Sequence, residues 1–208
     1  AELVASQLYE REKNSRMMVE MLSQIIEFRT GDSDCHTRNI SIFTGLMIDS
    51  LLQKTDRYSF SLMERELIVT ASALHDIGKI GIDECILNKP GKLTKEEFEI
   101  MKTHTVIGAE ILKDITFVPH IVEVARNHHE RYDGTGYPRG LAGEDIPYMA
   151  RILTIADCFD AMTARRPYKK PLSVSYAVSE LKKNSGTQFD PELVNVFIRL
   201  INEGKITV

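Results

Sequence analysis

Residues 68–79 read IVTASALHDIGK and place polar groups directly on an apolar stripe. At helical spacing, Ile68 and Ala71 share a face with His75, and Asp76 comes directly after that histidine. An ionised carboxylate that is buried without a partner is prohibitively costly, so this stretch requires compensating groups nearby. It predicts a helical segment that delivers a histidine and an aspartate to the protein interior.

The same pattern recurs in four other segments. His36 shares a stripe with Ile40, Phe43, Met47 and Leu51. The other inward groups are His104 with Ile100, Met101, Gly108 and Ile111; His128, followed by His129, with Ile121, Val124 and Ala125; and Asp157 between Leu153 and Ala161. A single histidine on an apolar stripe is more often a hydrogen-bonded core residue than a metal ligand. Histidines that arrive together with His-Asp and His-His doublets favour metal binding.

The donor types indicate which metals would bind and how many. Imidazole and carboxylate donors without thiolates suit Fe, Mn, Zn, Ni or Co, and this set exceeds the four ligands that one zinc site takes. We therefore expect at least two metal ions. His120 follows Pro119 at a predicted helix start and matches neither doublet, so we interpret it as a surface or capping residue.

The rest of the chain predicts an all-α protein of one compact domain. Met18, Met21, Leu22 and Ile25 form an i, i+3, i+4, i+7 stripe on a long first helix that stops near Gly31. Further helix starts are predicted by the capping signals Ser61 to Glu64, Thr94 to Glu97 and Asp190-Pro191. The last of these helices carries an apolar face formed by Leu193, Val196, Phe197, Leu200 and Ile201.

Two motifs, HDIGK at residues 75–79 and HHERYDGTGYP at residues 128–138, resemble those of the HD-GYP family, and the second is highly specific. These proteins are bacterial HD-superfamily phosphodiesterases that hydrolyse cyclic di-GMP. The resemblance extends from about Phe28 to Phe197, through residues 102–104, 156–157, 160–163, 166–169 and 186–191. It implies an HD-domain helical bundle over residues 28–208, with metal ligands projecting from several helices into a central site. Residues 1–27 then form an N-terminal signalling or dimerisation helix.

The resemblance also implies a ligand set and a metal. The implied ligands are His36, His75, Asp76, His104, His128, His129 and Asp157. In trinuclear members a glutamate four residues before the first histidine bridges the metals, and here that position is Asp32. Since aspartate is one methylene shorter, Asp32 either binds a third ion or caps the turn at residues 31–34, and two and three divalent ions both stay open. Iron is the first expectation and manganese the second.

The resemblance further implies a reaction and its substrate contacts. Two ions about 3.5 to 4 Å apart can bridge a water and lower its pKa toward 7 for attack on a phosphodiester. Lys79 would hold a phosphate oxygen, unless it is a solvated lysine at a helix end, and Asp160 would orient the water or act as base, unless it is a surface ion pair. Arg166 and Lys169 would grip the phosphates of the ligand. Tyr137 would stack on a guanine or contact phosphate, or its loop would brace the paired histidines.

The leading hypothesis is metal-dependent hydrolysis of cyclic di-GMP to pGpG, and whether the reaction continues to GMP stays open. One alternative is a catalytically silent domain that senses cyclic di-GMP or docks a partner, which loss of motif ligands would have favoured. The other alternative is an HD hydrolase for a different cyclic dinucleotide or a nucleotide.

Composition restricts the partners and the compartment. With 26 Lys and Arg against 30 Asp and Glu, the net charge of −4 argues against binding nucleic-acid polymers or anionic membranes. No apolar stretch approaches the roughly 20 residues that span a bilayer. The 3 cysteines lack metal-type spacing and suit free thiols in the cytoplasm.

The apolar stripe of the first helix either packs on its own domain or pairs with a second copy in a homodimer. In either case the helix would relay a signal from an upstream sensory or receiver domain.

Overall fold

The computed structural model describes residues 2–30, 36–53, 62–114, 119–165 and 170–207. Within these ranges the chain forms helices and no β-strand, so the predicted all-α class is confirmed. The helices are α1 (Glu2–Thr30), α2 (His36–Leu52), α3 (Leu62–Ser72), α4 (Glu84–Leu87), α5 (Lys95–Lys102), α6 (His104–Leu112), α7 (Pro119–Asn127), α8 (Tyr148–Thr163), α9 (Val174–Lys183) and α10 (Pro191–Asn202). Two 3-10 turns cover Ile77–Gly81 and Gly143–Asp145. None of the described helices is long and apolar enough to span a bilayer.

Two of the predicted helix caps are confirmed. The Thr94 side chain accepts from the Glu97 backbone amide, and the Glu97 carboxylate accepts from the Thr94 amide, which completes a capping box at the start of α5. Asp190 Oδ1 accepts from the Glu192 amide at the start of α10, while its Oδ2 accepts from Arg151 of α8 at 2.5 Å. This carboxylate therefore starts α10 and fixes it to α8. The predicted cap Ser61 lies outside the described residues.

The larger apolar core lies between α2, α8, α9 and α10. The rings of Phe43, Phe159 and Phe197, from three of these helices, meet edge to face with centroids 5.0 to 6.0 Å apart. The predicted face of α10 is confirmed, because Leu193, Val196, Phe197 and Leu200 are buried and Ile201 is half-buried at its edge.

A second apolar cluster joins α1, α6 and α7 to the residues around the first 3-10 turn. Its members are Val19, Ile26, Leu74, Ile77, Leu112, Ile121 and Ala125. Gly78 makes this packing possible, because a Cβ there would lie 1.8 Å from the carbonyl oxygen of His104. The absence of a side chain thus lets the turn approach α6 and brings the His75-Asp76 pair beside His104.

Some expected helices end earlier than the sequence pattern suggests. His75 lies three residues beyond the end of α3 and His128 one residue beyond the end of α7, so both occupy turns. The expected stripe around His104 is interrupted at Thr103, where α5 and α6 meet. Helical spacing does not carry across that junction, and Ile100 is 47% exposed instead of buried. The buried face of α6 consists of His104, Thr105, Gly108, Ala109 and Leu112, which leaves Ile111 exposed.

The first helix uses a different face from the expected one to contact its own domain. Val19, Ser23 and Ile26 are buried there, whereas the predicted stripe at Met18, Met21, Leu22 and Ile25 is 39 to 57% exposed. The prediction that this stripe packs on its own domain is therefore wrong. The predicted division between residues 27 and 28 falls inside α1.

Three residues of this stripe, Met18, Met21 and Ile25, follow coiled-coil a and d spacing together with the exposed Phe28. Because these residues lie on the side of α1 that faces away from the domain, we expect them to pair with the same residues of a second copy. Replacing both Met18 and Met21 with glutamate should halve the mass measured by light scattering. Lys13→Glu is the control, since it changes the net charge equally at an exposed position off the stripe. Equal masses for the wild type and the double variant would contradict the pairing.

Candidate metal centre

The predicted ligands come together from five segments of the bundle. His36 and His104 are the first residues of α2 and α6, Asp157 lies in α8, and the His75-Asp76 and His128-His129 doublets follow α3 and α7. His36, His75, His104 and His128 are each no more than 5% exposed. Helix ends and the middle of α8 thus meet at one buried polar centre.

Asp76 lies at the middle of this centre. Its carboxylate belongs to two groups whose ligand atoms lie within 4.8 Å of one another: His36, His75 and Asp76, and Asp76, His104, His128 and His129. Asp76 Oδ2 is 3.4 Å from His75 Nε2, and Asp76 Oδ1 is 3.3 Å from His104 Nε2 and 3.6 Å from His128 Nε2. If each group held an ion, the Asp76 carboxylate would be available to both.

Four of the histidines are held by their Nδ1 atoms. His75, His104 and His128 direct Nδ1 at the carbonyl oxygens of Ser72, Met101 and Ala125, at 2.7 to 2.9 Å. Because a carbonyl can only accept, Nδ1 carries a proton and donates it, so in the neutral ring the lone pair is on Nε2, which faces the centre. The fourth, His36, directs its Nδ1 at a carboxylate described below.

The centre has buried atoms that the protein itself does not satisfy. His75 Nε2 and Asp76 Oδ1 are buried and make no hydrogen bond. Such atoms call for a further partner, and imidazole and carboxylate donors suit a borderline divalent metal ion. The described residues therefore fit the predicted metals.

Asp157 and Asp160 occupy different positions relative to the centre. Asp157 is half-buried, and its Oδ1 lies 3.7 Å from His36 Nε2, on the side that faces the other ligands. Asp160 is fully buried; its Oδ2 lies 2.6 Å from His36 Nδ1, and its Oδ1 accepts from Asn39 at 2.7 Å. Both oxygens of Asp160 are thus engaged behind His36, which does not support the expected contact with water or a role as base.

Lys79 reaches the centre from the first 3-10 turn. Its Nζ donates to Asp76 Oδ2 at 2.6 Å, across the i, i+3 spacing. The expected approach of this lysine to the ligand cluster is therefore present in the structure, although a 3-10 turn replaces the expected α-helical turn.

The GTGYP loop packs directly on the paired histidines. Tyr137 stacks on the ring of His129, with centroids 4.8 Å apart, and its amide donates to the His129 carbonyl. The buried Glu130 carboxylate accepts from the amides of Arg139 and Leu141, which holds the loop in place. Gly136 allows a close approach, because a Cβ there would lie 2.3 Å from the Arg131 amide. The loop therefore braces His129 and also places an aromatic ring beside the centre.

Burial and charge set the protonation states of the ligands without metal. Burial lowers the pKa of His104 to about 4 and, together with the neighbouring His128, keeps the pKa of His129 well below its usual value. Burial would also lower the pKa of His75, but the charges of Asp76 and Asp157 outweigh it and raise that pKa to about 9. Burial would raise the pKa of Asp76, whereas Lys79 and His75 lower it well below its usual range.

Three predicted site residues, Asp32, Arg166 and Lys169, lie outside the described residues.

The structure also adds a residue that the sequence argument missed. Asn39 follows His36 by three positions, so helical spacing places its amide on the same face, and that spacing was a usable signal. The role of Glu130 in holding the loop depends on tertiary contacts that the sequence pattern does not reveal.

Comparison with known proteins gives consistent relatives. The profile of the HD domain family matches residues 20–193. A cyclic di-GMP phosphodiesterase of Thermotoga maritima is 41% identical over 89% of this chain and 49% of its own length. The cyclic di-GMP phosphodiesterase response regulator RpfG of Xanthomonas campestris is 40% identical over 95% of this chain and 50% of its own length. A crystal structure of V-cGAP3, a cyclic GMP-AMP specific phosphodiesterase of V. cholerae, superposes with a TM-score of 0.69 at 20% identity, over 92% of this chain and 49% of that one. The chain spans about half the length of the curated relatives it matches.

We expect the metal affinity to rise with pH until His75 loses its proton. At neutral pH His75 carries a proton because its pKa is about 9, and a metal ion must displace that proton. Between pH 6.5 and 8.5 the affinity for Mn²⁺ should increase by up to about tenfold per pH unit. Fluorescent-chelator competition measures it, with His120→Gln, on the exposed side of α7, as the control. An affinity independent of pH over this range would refute the assignment.

Proposed function

Because the chain belongs to the HD-GYP branch of the HD domain family, we propose that it is a metal-dependent phosphodiesterase that opens cyclic di-GMP to linear pGpG. The observation that carries this proposal is the buried Asp76 carboxylate shared by two groups of histidines. A site of this kind suits in-line hydrolysis of a phosphodiester, because two divalent ions, when bound, polarise the phosphoryl oxygen and activate a water.

We assign His36, His75 and Asp76 to one ion, and Asp76, His104, His128 and His129 to the other, with Asp157 beside His36. Iron is our first choice and manganese our second. Asp32 would contribute to a third ion. Elemental analysis of protein purified without oxygen tests both the identity and the number of ions.

The remaining residues act on the substrate or on the ligands. Lys79 is held at 2.6 Å from Asp76 and presents a positive charge at the centre, where we place a phosphate oxygen. Arg166 and Lys169 would grip the phosphates, and Tyr137 forms one wall of the site. We assign Asp160 to the positioning of His36 and not to the chemical step.

The substrate and the cellular setting belong to the same proposal. A Vibrio cholerae relative that is 36% identical is named a 3'3'-cGAMP-specific phosphodiesterase, so a mixed cyclic dinucleotide is the second candidate. The relative from X. campestris is named a response regulator. We therefore expect α1 to connect this domain to a receiver or other sensory domain, in the cytoplasm. A silent sensor is disfavoured because every described ligand position is occupied by a competent donor.

The hydrolysis assay compares cyclic di-GMP, 3'3'-cyclic GMP-AMP and the base-free diester bis(p-nitrophenyl) phosphate. We expect protein loaded anaerobically with Fe²⁺ or Mn²⁺ to convert cyclic di-GMP to pGpG, and metal-free protein to be inactive. His104→Gln should abolish turnover of all three compounds, while His120→Gln should not. Metal-loaded wild type that leaves cyclic di-GMP intact would contradict the proposed substrate; failure on all three would contradict the proposed reaction.

Asp160→Asn tests the positioning of His36. The amide keeps the shape of the side chain but removes the negative charge behind His36 Nδ1, so the ring is a weaker ligand. We expect about a 10- to 100-fold loss of metal affinity or activity, the range found for partners that orient metal ligands. Adding metal should restore part of the activity, which loss of a catalytic base would not allow. Asp114→Asn, at the exposed end of α6, is the control.

A further inference from the structure

The helix α5 carries an aromatic residue that is not used in the core. None of its eight residues is buried, and Phe98 is 44% exposed. Its ring nevertheless has a defined neighbour, because it meets Tyr137 edge to face at 84° with centroids 6.2 Å apart. Phe98 therefore extends the aromatic surface that begins at the metal centre.

A row of rings links α5 to the ligands. His129 stacks on Tyr137 at 4.8 Å, and Tyr137 in turn meets Phe98. Since His129 belongs to the ligand group around Asp76, Phe98 lies two ring contacts from that group. The row therefore gives a substrate bound at the ligand group an aromatic surface on the side toward α5.

Lys102 adds a positive charge to the same surface. Its Nζ lies 5.3 Å from the Phe98 ring centroid and 5.6 Å from the Tyr137 ring centroid, and it pairs with Glu99 at 2.6 Å. These contacts hold the ammonium group over the two rings instead of leaving it extended into solvent. An ammonium group offers three donors and no acceptor.

We propose that Phe98 and Lys102, with Tyr137, form a base-binding subsite that prefers guanine. This inference rests on the proposed function, because it assumes that a cyclic dinucleotide phosphate lies at the metals. Aromatic rings stack on any base, so Phe98 supplies affinity. Guanine presents two acceptors, O6 and N7, on one edge, where adenine presents a donor beside its acceptor. Lys102 can donate to both guanine acceptors, so it supplies the preference.

The alternative role for Phe98 is to brace Tyr137 and, through it, His129. The two roles differ in what they affect. A brace would influence the metal content and the turnover of every diester, whereas a base subsite affects only ligands that carry a base. The metal content of the variant therefore separates them.

The experiment uses the whole metal-loaded chain and a hydrolysis-resistant ligand, cyclic di-GMP with phosphorothioate linkages, with the matching cyclic di-AMP analogue. Phe98→Ala should raise the Kd for the guanine ligand by about 5- to 100-fold, the range for loss of one stacked base. It should leave the metal content within about twofold, whereas loss of a brace on Tyr137 and His129 would lower it. Lys102→Met should reduce the guanine preference about tenfold, and Lys102→Arg should retain it. Tyr176→Ala, at an exposed ring on α9, is the matched control.

Each result decides one part of the argument. An unchanged Kd for Phe98→Ala, or equal losses of metal content and ligand binding, would overturn the subsite. A wild type that fails to bind the guanine ligand would overturn it as well. Tight binding of that ligand without hydrolysis of cyclic di-GMP would overturn only the proposed reaction.

Discussion

The charge of Asp76 is the constraint on which the rest of this structure depends. A carboxylate in the interior requires partners, and here it has Lys79 at 2.6 Å and imidazoles on two sides. These partners come from segments far apart in the sequence, so the fold must bring them together before the charge can be buried. The metal ions expected at this point would complete the compensation that the protein begins.

The histidines reach Asp76 through the ends of helices, and the helix ends also orient them. Carbonyl groups in the last turn of a helix lack intrahelical partners. His75, His104 and His128 each donate Nδ1–H to such a carbonyl at or near the end of α3, α5 and α7. Each of these hydrogen bonds fixes the ring and turns Nε2 toward the centre. Interrupting the helices at these positions therefore serves the site.

The sequence predicted the helices, and it predicted that the described His and Asp side chains face the interior, because both follow from local rules. Apolar spacing identified the buried faces of α2 and α10, and capping chemistry identified the starts of α5 and α10. Spacing failed at Thr103, because a pattern cannot reveal that one helix ends and another begins. Nor could it report the contact between Asp160 and His36, which lie 124 positions apart in the sequence. No local rule reports such a contact.

The last turns of α1 connect the exposed stripe to the ligand segments. The buried carboxylate of Glu27 accepts from the Thr37 amide, next to His36 at the start of α2. Ser23 donates to the Ala73 carbonyl, and Arg29 donates to the carbonyls of Ile80 and Ile82, on either side of the Asp76–Lys79 pair. A displacement of α1 must strain or break these bonds. Since they fix both segments that provide the first ligand group, the position of α1 and the geometry of the metal centre cannot vary independently.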